Sequence, residues 1–148
     1  MKTPTLFALS LFALATVAPN LASAQATEEK KPAKASGGHS HFIKIPATTE
    51  EVWAEIGKQQ VKLEAVVAAK NLGEAHDHGF AIRDLVRALP AKVPAESKVK
   101  AEEAVPEINK LAAAIDKSSA AGAQQATEEN VKKMATAVEA LQAALKAK

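Results

Sequence analysis

The chain has 148 residues, with 19 basic and 17 acidic side chains, a formal net charge of +2 and no cysteine. This charge balance argues against a nucleic-acid-binding protein, which normally carries a concentrated basic surface, and the lack of cysteine excludes disulfides, thiolate metal sites and iron–sulfur clusters. Because four phenylalanines and one tryptophan are the only aromatic residues, the core must consist mainly of Ala, Val, Leu and Ile.

Residues 1–24 have the three parts of a secretory signal peptide. Lys2 gives a positive start, residues 6–17 form an apolar run, and residues 22–24 have the A-x-A form of a cleavage site. The apolar run is shorter than the roughly 20 residues that a membrane-spanning helix needs. The sequence therefore predicts a mature chain that begins near Gln25, lies in the periplasm and has no membrane span.

Residues 25–46 mix charged residues with Pro, Gly and Ser and have no apolar periodicity. This composition is typical of a flexible tether. Residues 47–148 carry repeated apolar stripes with helical spacing, and no stretch alternates as a half-buried strand would. The predicted organisation is a signal peptide, a tether and one all-α domain.

The first predicted helix begins at a capping box, because Thr48 and Glu51 have the required spacing, and its apolar stripe continues to about Lys70. The second runs from roughly residue 74 to residue 89, where Pro90 ends it.

Pro94 opens the third predicted helix. Pro106 lies inside it, and a kink or a short break is expected there because proline removes a backbone donor. A loop is predicted over residues 118–126, with Thr127 as the N-cap of the fourth helix. Four amphipathic helices with short connections predict an antiparallel up-down-up-down four-helix bundle.

All four histidines occur in two His-x-His pairs, His39 with His41 in the tether and His76 with His78 in the second helix. Neutral imidazole is a common ligand of copper, zinc and nickel. Residues two apart point the same way in an extended chain, so the tether pair is predicted to chelate one ion. The alternative is a polar linker that merely contains histidine.

On a helix, residues two apart diverge by about 200°, so His76 and His78 are not expected to share an ion. His78 lies in the apolar stripe, either as a ligand or as a core histidine with satisfied ring nitrogens, and His76 is expected at the surface. Because the tether is expected to leave the far end of the first helix, the two pairs are predicted to be separate weak sites or to bridge two molecules.

Met134 is predicted to lie at about the level of His78, because the second and fourth helices run parallel in such a bundle. A facing His and Met suit copper(I) or haem iron, and ordinary core packing is the alternative for the methionine. Gln59 and Gln60 interrupt the apolar stripe of the first helix. Buried amides need partners, so they are predicted either to reach the histidines of the second helix or to form a polar layer.

Phe80, Arg83 and Arg87 lie off the predicted core face, and an aromatic side chain beside two arginines is typical of a contact patch. In the alternative, Phe80 folds under the tether against Phe42. The sequence has no nucleophile motif, no Gly-rich phosphate loop and no paired carboxylates in a defined pocket, so an enzyme is not expected.

Residues 48–146, with the string His-Gly-Phe-Ala-Ile at residues 78–82, resemble the small exported four-helix bundles typified by soluble b-type cytochromes. That family takes its haem ligands from a methionine early in helix one and a histidine late in helix four. This chain has Val52 and Trp53 at the first place and no histidine after His78, so the resemblance implies the bundle and argues against haem. The tether with its histidines is also similar to periplasmic proteins associated with heavy-metal efflux and resistance.

The sequence as a whole predicts a periplasmic, non-enzymatic protein that binds or buffers a transition metal, copper above zinc or nickel. The candidate ligands are His39, His41, His76, His78 and Met134. An exporter or another periplasmic protein is the expected partner at the Phe80 face. The alternatives are a metal-free interaction or chaperone-like bundle and a haem-binding electron carrier.

Overall fold

A computed structural model describes residues 43–147, and this part of the chain consists of helices and short connections without any β-strand. Its four α-helices are α1 (Thr49–Ala68), α2 (Ala75–Ala88), α3 (Ala95–Ala120) and α4 (Gln124–Lys146). Single 3-10 turns flank α2 at Leu72–Glu74 and Leu89–Ala91. The all-α prediction is confirmed. The predicted signal peptide and residues 25–42 of the predicted tether lie outside the described residues.

The start of α1 is the predicted capping box. The Thr48 hydroxyl accepts a hydrogen bond from the Glu51 backbone N–H, and a Glu51 carboxylate oxygen accepts one from the Thr48 N–H, both at 3.2 Å. The hydrogen bond from the Thr48 backbone N–H is the largest cause that lowers the pKa of Glu51, because it favours the charged carboxylate. The reciprocal pair satisfies two backbone donors that a helix start otherwise leaves open.

α1 and α3 both end in a Schellman motif, in which a left-handed residue turns the chain and two backbone N–H groups bond back to the last turn. At α3 the left-handed residue is Gly122, with φ 67°, and at α1 it is Lys70, with φ 60°. The flanking bonds run from Ala123 N to Ser118 O at 2.9 Å and from Asn71 N to Val66 O at 2.8 Å. These compact motifs make the helix connections short.

In the second half of the chain, the predicted loop and the predicted N-cap are wrong, and of the kink or short break expected at Pro106, the break is absent. α3 runs through Pro106 without a break, because the proline lies on the exposed side, where the backbone acceptor it leaves unpaired can face water. α3 includes Ser118 and continues to Ala120, and α4 already begins at Gln124, so the predicted long loop is a tight turn. Thr127 therefore lies inside α4 rather than at its N-cap.

The described residues share one apolar core to which all four helices contribute. α1 packs against α2 and α4, and α3 packs against α2 and α4. The largest fully buried apolar side chains are Ile56, Leu63, Ile82, Leu85, Leu89, Ile108, Ile115 and Met134. Each contributes about 1.5–3 kcal/mol to the stability of the fold by leaving water. Within residues 43–147, no helix has both the length and the apolar character to cross a bilayer.

Candidate metal centre

His78 lies in the first turn of α2 and is held from α1 by Gln59. The His78 Nδ1 and Gln59 Oε1 atoms are 2.8 Å apart, and Gln59 Nε2 donates to Glu55 Oε1, also at 2.8 Å. Gln59 is itself buried in the α1 stripe. One of the two alternatives for Gln59 is thus realised, since the amide reaches a histidine of the second helix.

This chain of hydrogen bonds determines which nitrogen of His78 carries the proton. A carboxylate only accepts hydrogen bonds, so the Gln59 amide group must present its NH₂ to Glu55 and its carbonyl oxygen to His78. His78 must then donate from Nδ1. In the neutral ring, the Nε2 atom then keeps its lone pair. A metal ion binds histidine through such an unprotonated ring nitrogen.

The surroundings of His78 keep its ring neutral. Partial burial is the main cause that lowers the pKa of His78, and the positive charge of Lys62 lowers it further, while Asp77 and Glu74 act in the opposite direction. At the Glu55 end of this series of hydrogen bonds, the bond from Gln59 is the main cause that lowers the pKa of Glu55, and Lys58 lowers it further. A charged carboxylate therefore faces a neutral imidazole through one amide.

His76 points to a different side of α2. Its side chain is 23% exposed, and its Nε2 atom lies 3.3 Å from a carboxylate oxygen of Asp77. The expected solvated position is thus only half correct, because most of the ring is covered. Its assignment as a metal ligand stays a prediction.

Met134 is 1% exposed and belongs to the core on α4. His78, in contrast, makes its hydrogen bond to α1. The core-packing alternative for Met134 is therefore realised, whereas a metal site shared by Met134 and His78 stays a prediction.

The described residues do not supply a complete set of metal ligands. Between residues 43 and 147, no three His, Asp or Glu side chains are grouped so that they could hold one ion. The candidate ligands His39 and His41 lie outside the described residues.

The chain before α1 follows that helix closely. Ile43 packs against the core, and residues 44–47 line a cavity of about 600 Å³ together with Glu55 and Lys58 of α1. Lys92, which follows α2, donates from Nζ to the carbonyl oxygen of Ala47 at 3.0 Å. These residues therefore lie along α1 on the side where the end of α2 approaches it.

The predicted contact patch is only partly exposed. Phe80 is half-buried and packs against the core, so its predicted position off the core is wrong in part. Arg83 stacks over the Phe80 ring at 4.4 Å and makes two 2.8 Å contacts, from Nε and a terminal nitrogen, with one oxygen of Asp84. Arg87 is exposed. The two arginines are thus unequal, and Arg87 is the one directed at solvent.

Sequence reasoning found His78 and Gln59 but missed Glu55. Its signal was its position four residues before Gln59, which places both side chains on one side of α1. No family model matches this chain, and comparisons with curated proteins and with solved structures likewise give no match.

Proposed function

We propose that this protein is an exported, non-enzymatic copper-binding protein of the periplasm, which buffers the metal or presents it to an exporter. The observation that supports this proposal is the series of hydrogen bonds from Glu55 through Gln59 to His78. Histidines that bind metals usually donate their second ring N–H to an oxygen acceptor that fixes the tautomer and the ring orientation. The Gln59 oxygen occupies that place at 2.8 Å from Nδ1.

Copper is the metal that this donor set favours. Among divalent ions, nitrogen sites bind copper(II) more tightly than nickel(II) or zinc(II). The chain offers imidazole but no thiolate, because it lacks cysteine. A lowered pKa keeps His78 unprotonated and ready to ligate near neutral pH.

An antiparallel up-down-up-down bundle is the arrangement proposed for the four helices. The packing of α1 and α3 against both α2 and α4 supports it. Hydrogen bonds also join the start of one helix to the end of a neighbour, or to the turn that follows it, at three places: Thr49 to Lys92, Lys100 to Ala144, and Gln124 to Val67. In such a bundle, α1 and α2 together form the wall that holds His78.

Calorimetric titration of residues 25–148 with copper(II) tests the metal proposal. We expect His78→Gln to weaken binding at least tenfold, and Gln59→Leu to weaken it by about 10- to 100-fold, the usual effect of losing an orienting partner. Gln60→Leu, at the neighbouring half-buried amide, is the matched control and should bind like the wild type. If His78→Gln binds copper as tightly as the wild type, the proposal is wrong.

Export has its own test. The full chain, expressed in a bacterium and recovered from the periplasm, should have the mass of a protein that begins at Gln25. An absorption spectrum of the same material should lack a Soret band. A Soret band would favour the haem carrier instead, and an uncleaved chain in the cytoplasm would contradict periplasmic export.

A contact surface for a periplasmic protein or an exporter is the second candidate function, centred on Phe80, Arg83 and Arg87. The stacking of Arg83 on Phe80 supports it, because aromatic side chains and arginine are enriched at interfaces. Arg87→Glu should reduce binding of such a partner while copper affinity stays unchanged. Lys98→Glu, on α3, is a charge-matched control.

A further inference from the structure

Glu55 reaches the His78 ring through one intermediate group, the side-chain amide of Gln59. Glu55 lies four residues before Gln59, so both side chains occupy the same side of α1. The Glu55 Oε1 atom accepts a hydrogen bond from Gln59 Nε2 at 2.8 Å, and Gln59 Oε1 lies 2.8 Å from Nδ1 of His78 on α2. A carboxylate on one helix is thereby connected to an imidazole on the next.

The Gln59 amide could fill the same space in a second orientation. Its oxygen and nitrogen are nearly equal in size, so a half-turn of the amide exchanges an acceptor for a donor without changing its shape. In that rotated orientation, the NH₂ group would donate to Nδ1 of His78, and the proton of the neutral ring would lie on Nε2. The orientation of one amide therefore decides whether Nε2 has a lone pair for a metal.

The Glu55 carboxylate disfavours the rotated orientation. A charged carboxylate accepts hydrogen bonds and donates none, so rotation would bring the Gln59 carbonyl oxygen against it, acceptor to acceptor. The pKa of Glu55 is lowered, mainly by the bond from Gln59, which keeps the carboxylate charged near neutral pH. Gln59 is only 8% exposed, so little water is available to pair with a rotated amide.

Lys58 leaves this arrangement undisturbed. It pairs with the other oxygen of Glu55, Oε2, at 3.3 Å, and Oε1 stays available to Gln59. The two oxygens of one carboxylate thus have separate partners.

We infer that Glu55 is a positioning residue of the copper site, which holds Gln59 in one orientation and so keeps His78 protonated at Nδ1, with Nε2 open to the metal. The copper part of this inference rests on the proposed function, whereas the tautomer of His78 belongs to the metal-free protein. Only one of the two tautomers can bind through Nε2. A ligand that binds one of two forms has an apparent dissociation constant raised by the inverse of that form's fraction.

Glu55→Gln tests this role because it keeps the shape of the side chain and introduces an amide that can donate as well as accept. Nitrogen-15 NMR of metal-free residues 25–148 at about pH 8, where free imidazole is neutral, shows which ring nitrogen carries the proton. The spectrum of His78→Gln identifies the signals of His78. The wild type should have Nδ1 protonated alone, and Glu55→Gln should be a mixture of tautomers.

Copper(II) titration of the same variants connects the tautomer to the metal. Affinity in Glu55→Gln should fall about two- to tenfold, by the inverse of the Nδ1–H fraction that NMR measures. Glu74→Gln is the charge-matched control, because Glu74 is exposed and acts on His78 as a negative charge. It should leave the tautomer unchanged, and its change in affinity measures the effect of the lost charge alone.

Exchanging the two side chains provides a rescue. In the double variant Glu55→Gln with Gln59→Glu, the carboxylate at position 59 can only accept, so it again requires a proton on Nδ1 of His78. The Nδ1–H tautomer should return, and copper affinity should rise above that of Glu55→Gln alone. A role of Glu55 in packing alone predicts no such recovery.

The other outcomes separate this inference from the proposed function. Nδ1 protonated alone in Glu55→Gln, or no recovery in the exchanged pair, would overturn the positioning role. A mixture of tautomers with unchanged copper affinity would overturn the connection between Glu55 and the metal. A wild type with one tautomer but no copper binding would overturn the proposed function and confirm only the tautomer.

Discussion

Thr127 and Ser118 join α3 to α4 through a buried hydrogen bond between hydroxyl groups. Their oxygens are 3.0 Å apart, Thr127 is completely buried, and its oxygen also lies 2.9 Å from the Ala123 carbonyl oxygen. Thr136 makes the same bond to the residue four before it, but it is exposed. Comparing substitutions of these two threonines therefore separates the effect of the buried contact with Ser118 from the effect of the bond to the carbonyl four residues earlier.

Thr127→Val should lower the free energy of unfolding by about 1–2 kcal/mol, because it removes the hydrogen bond that the Thr127 hydroxyl donates to the buried Ser118 oxygen. Thr136→Val should change it by less than about 0.5 kcal/mol. Urea denaturation followed by circular dichroism measures both. Equal effects of the two substitutions would mean that the pair with Ser118 does not stabilise the helix junction.

His78 should make the metal-free protein less stable in mild acid. Its pKa is lowered in the folded state, mainly by burial, so below about pH 6.5 the unfolded chain takes up the proton first. The contribution of His78 to the free energy of unfolding is fully present above about pH 6.5 and is lost as the pH falls towards the pKa of His78 in the folded state. His78→Gln removes the titrating group.

The stability difference between pH 7.5 and pH 5.5 should accordingly be smaller in His78→Gln than in the wild type, measured by urea denaturation with a chelator present. Carboxylates titrate in both proteins and cancel in the comparison. An unchanged difference would show that His78 has the same proton affinity in the folded and unfolded states.

At the scale of elements, the ends of α1 and α3 allow a matched comparison. Both use a left-handed residue, which costs an L-residue roughly 1–2 kcal/mol and glycine almost nothing. Lys70 is exposed, so its side chain contributes little packing. A Cβ at Gly122 would touch no other atom, so strain in φ is the relevant effect there.

Lys70→Gly should therefore raise the free energy of unfolding by about 0.5–1 kcal/mol, and Gly122→Ala should lower it by about 1 kcal/mol. Thermal unfolding of the two variants beside the wild type gives both values. Changes of the same sign in the two variants would refute the strain assigned to Lys70.

The apolar periodicity predicted the four helices, and the spacing of Thr48 and Glu51 predicted the capping box, because both are local patterns of the sequence. It did not predict the start of α4, since Thr127 fits an N-cap by composition and is instead buried through its pairing with Ser118 on another helix. The path of residues 43–47 also depends on contacts distant in sequence, such as Lys92 with Ala47. Gln59 was recognisable as a polar interruption, but its partner His78 was only one of two alternatives.

At the scale of the whole molecule, stability and the proposed copper site are largely separate. The core consists of apolar side chains from all four helices. The hydrogen-bonded residues Glu55, Gln59 and His78 lie instead at the junction of α1 and α2, and His78 is half-buried. A fold that buries its apolar stripes against one another does not need a metal to form. Copper would then stabilise a structure that already exists.

Residues 25–148 treated with a chelator should therefore give a helical circular dichroism spectrum and one cooperative unfolding transition. Free copper(II) at about 100 times its dissociation constant should add about 2.7 kcal/mol through binding to the folded state alone. For a domain of this size, that corresponds to a rise in Tm of about 10 °C or more. The variant in which His39, His41 and His78 are replaced should fold equally well and show no such rise. A coil spectrum in the chelator would mean instead that metal binding drives folding, as it does in small zinc domains.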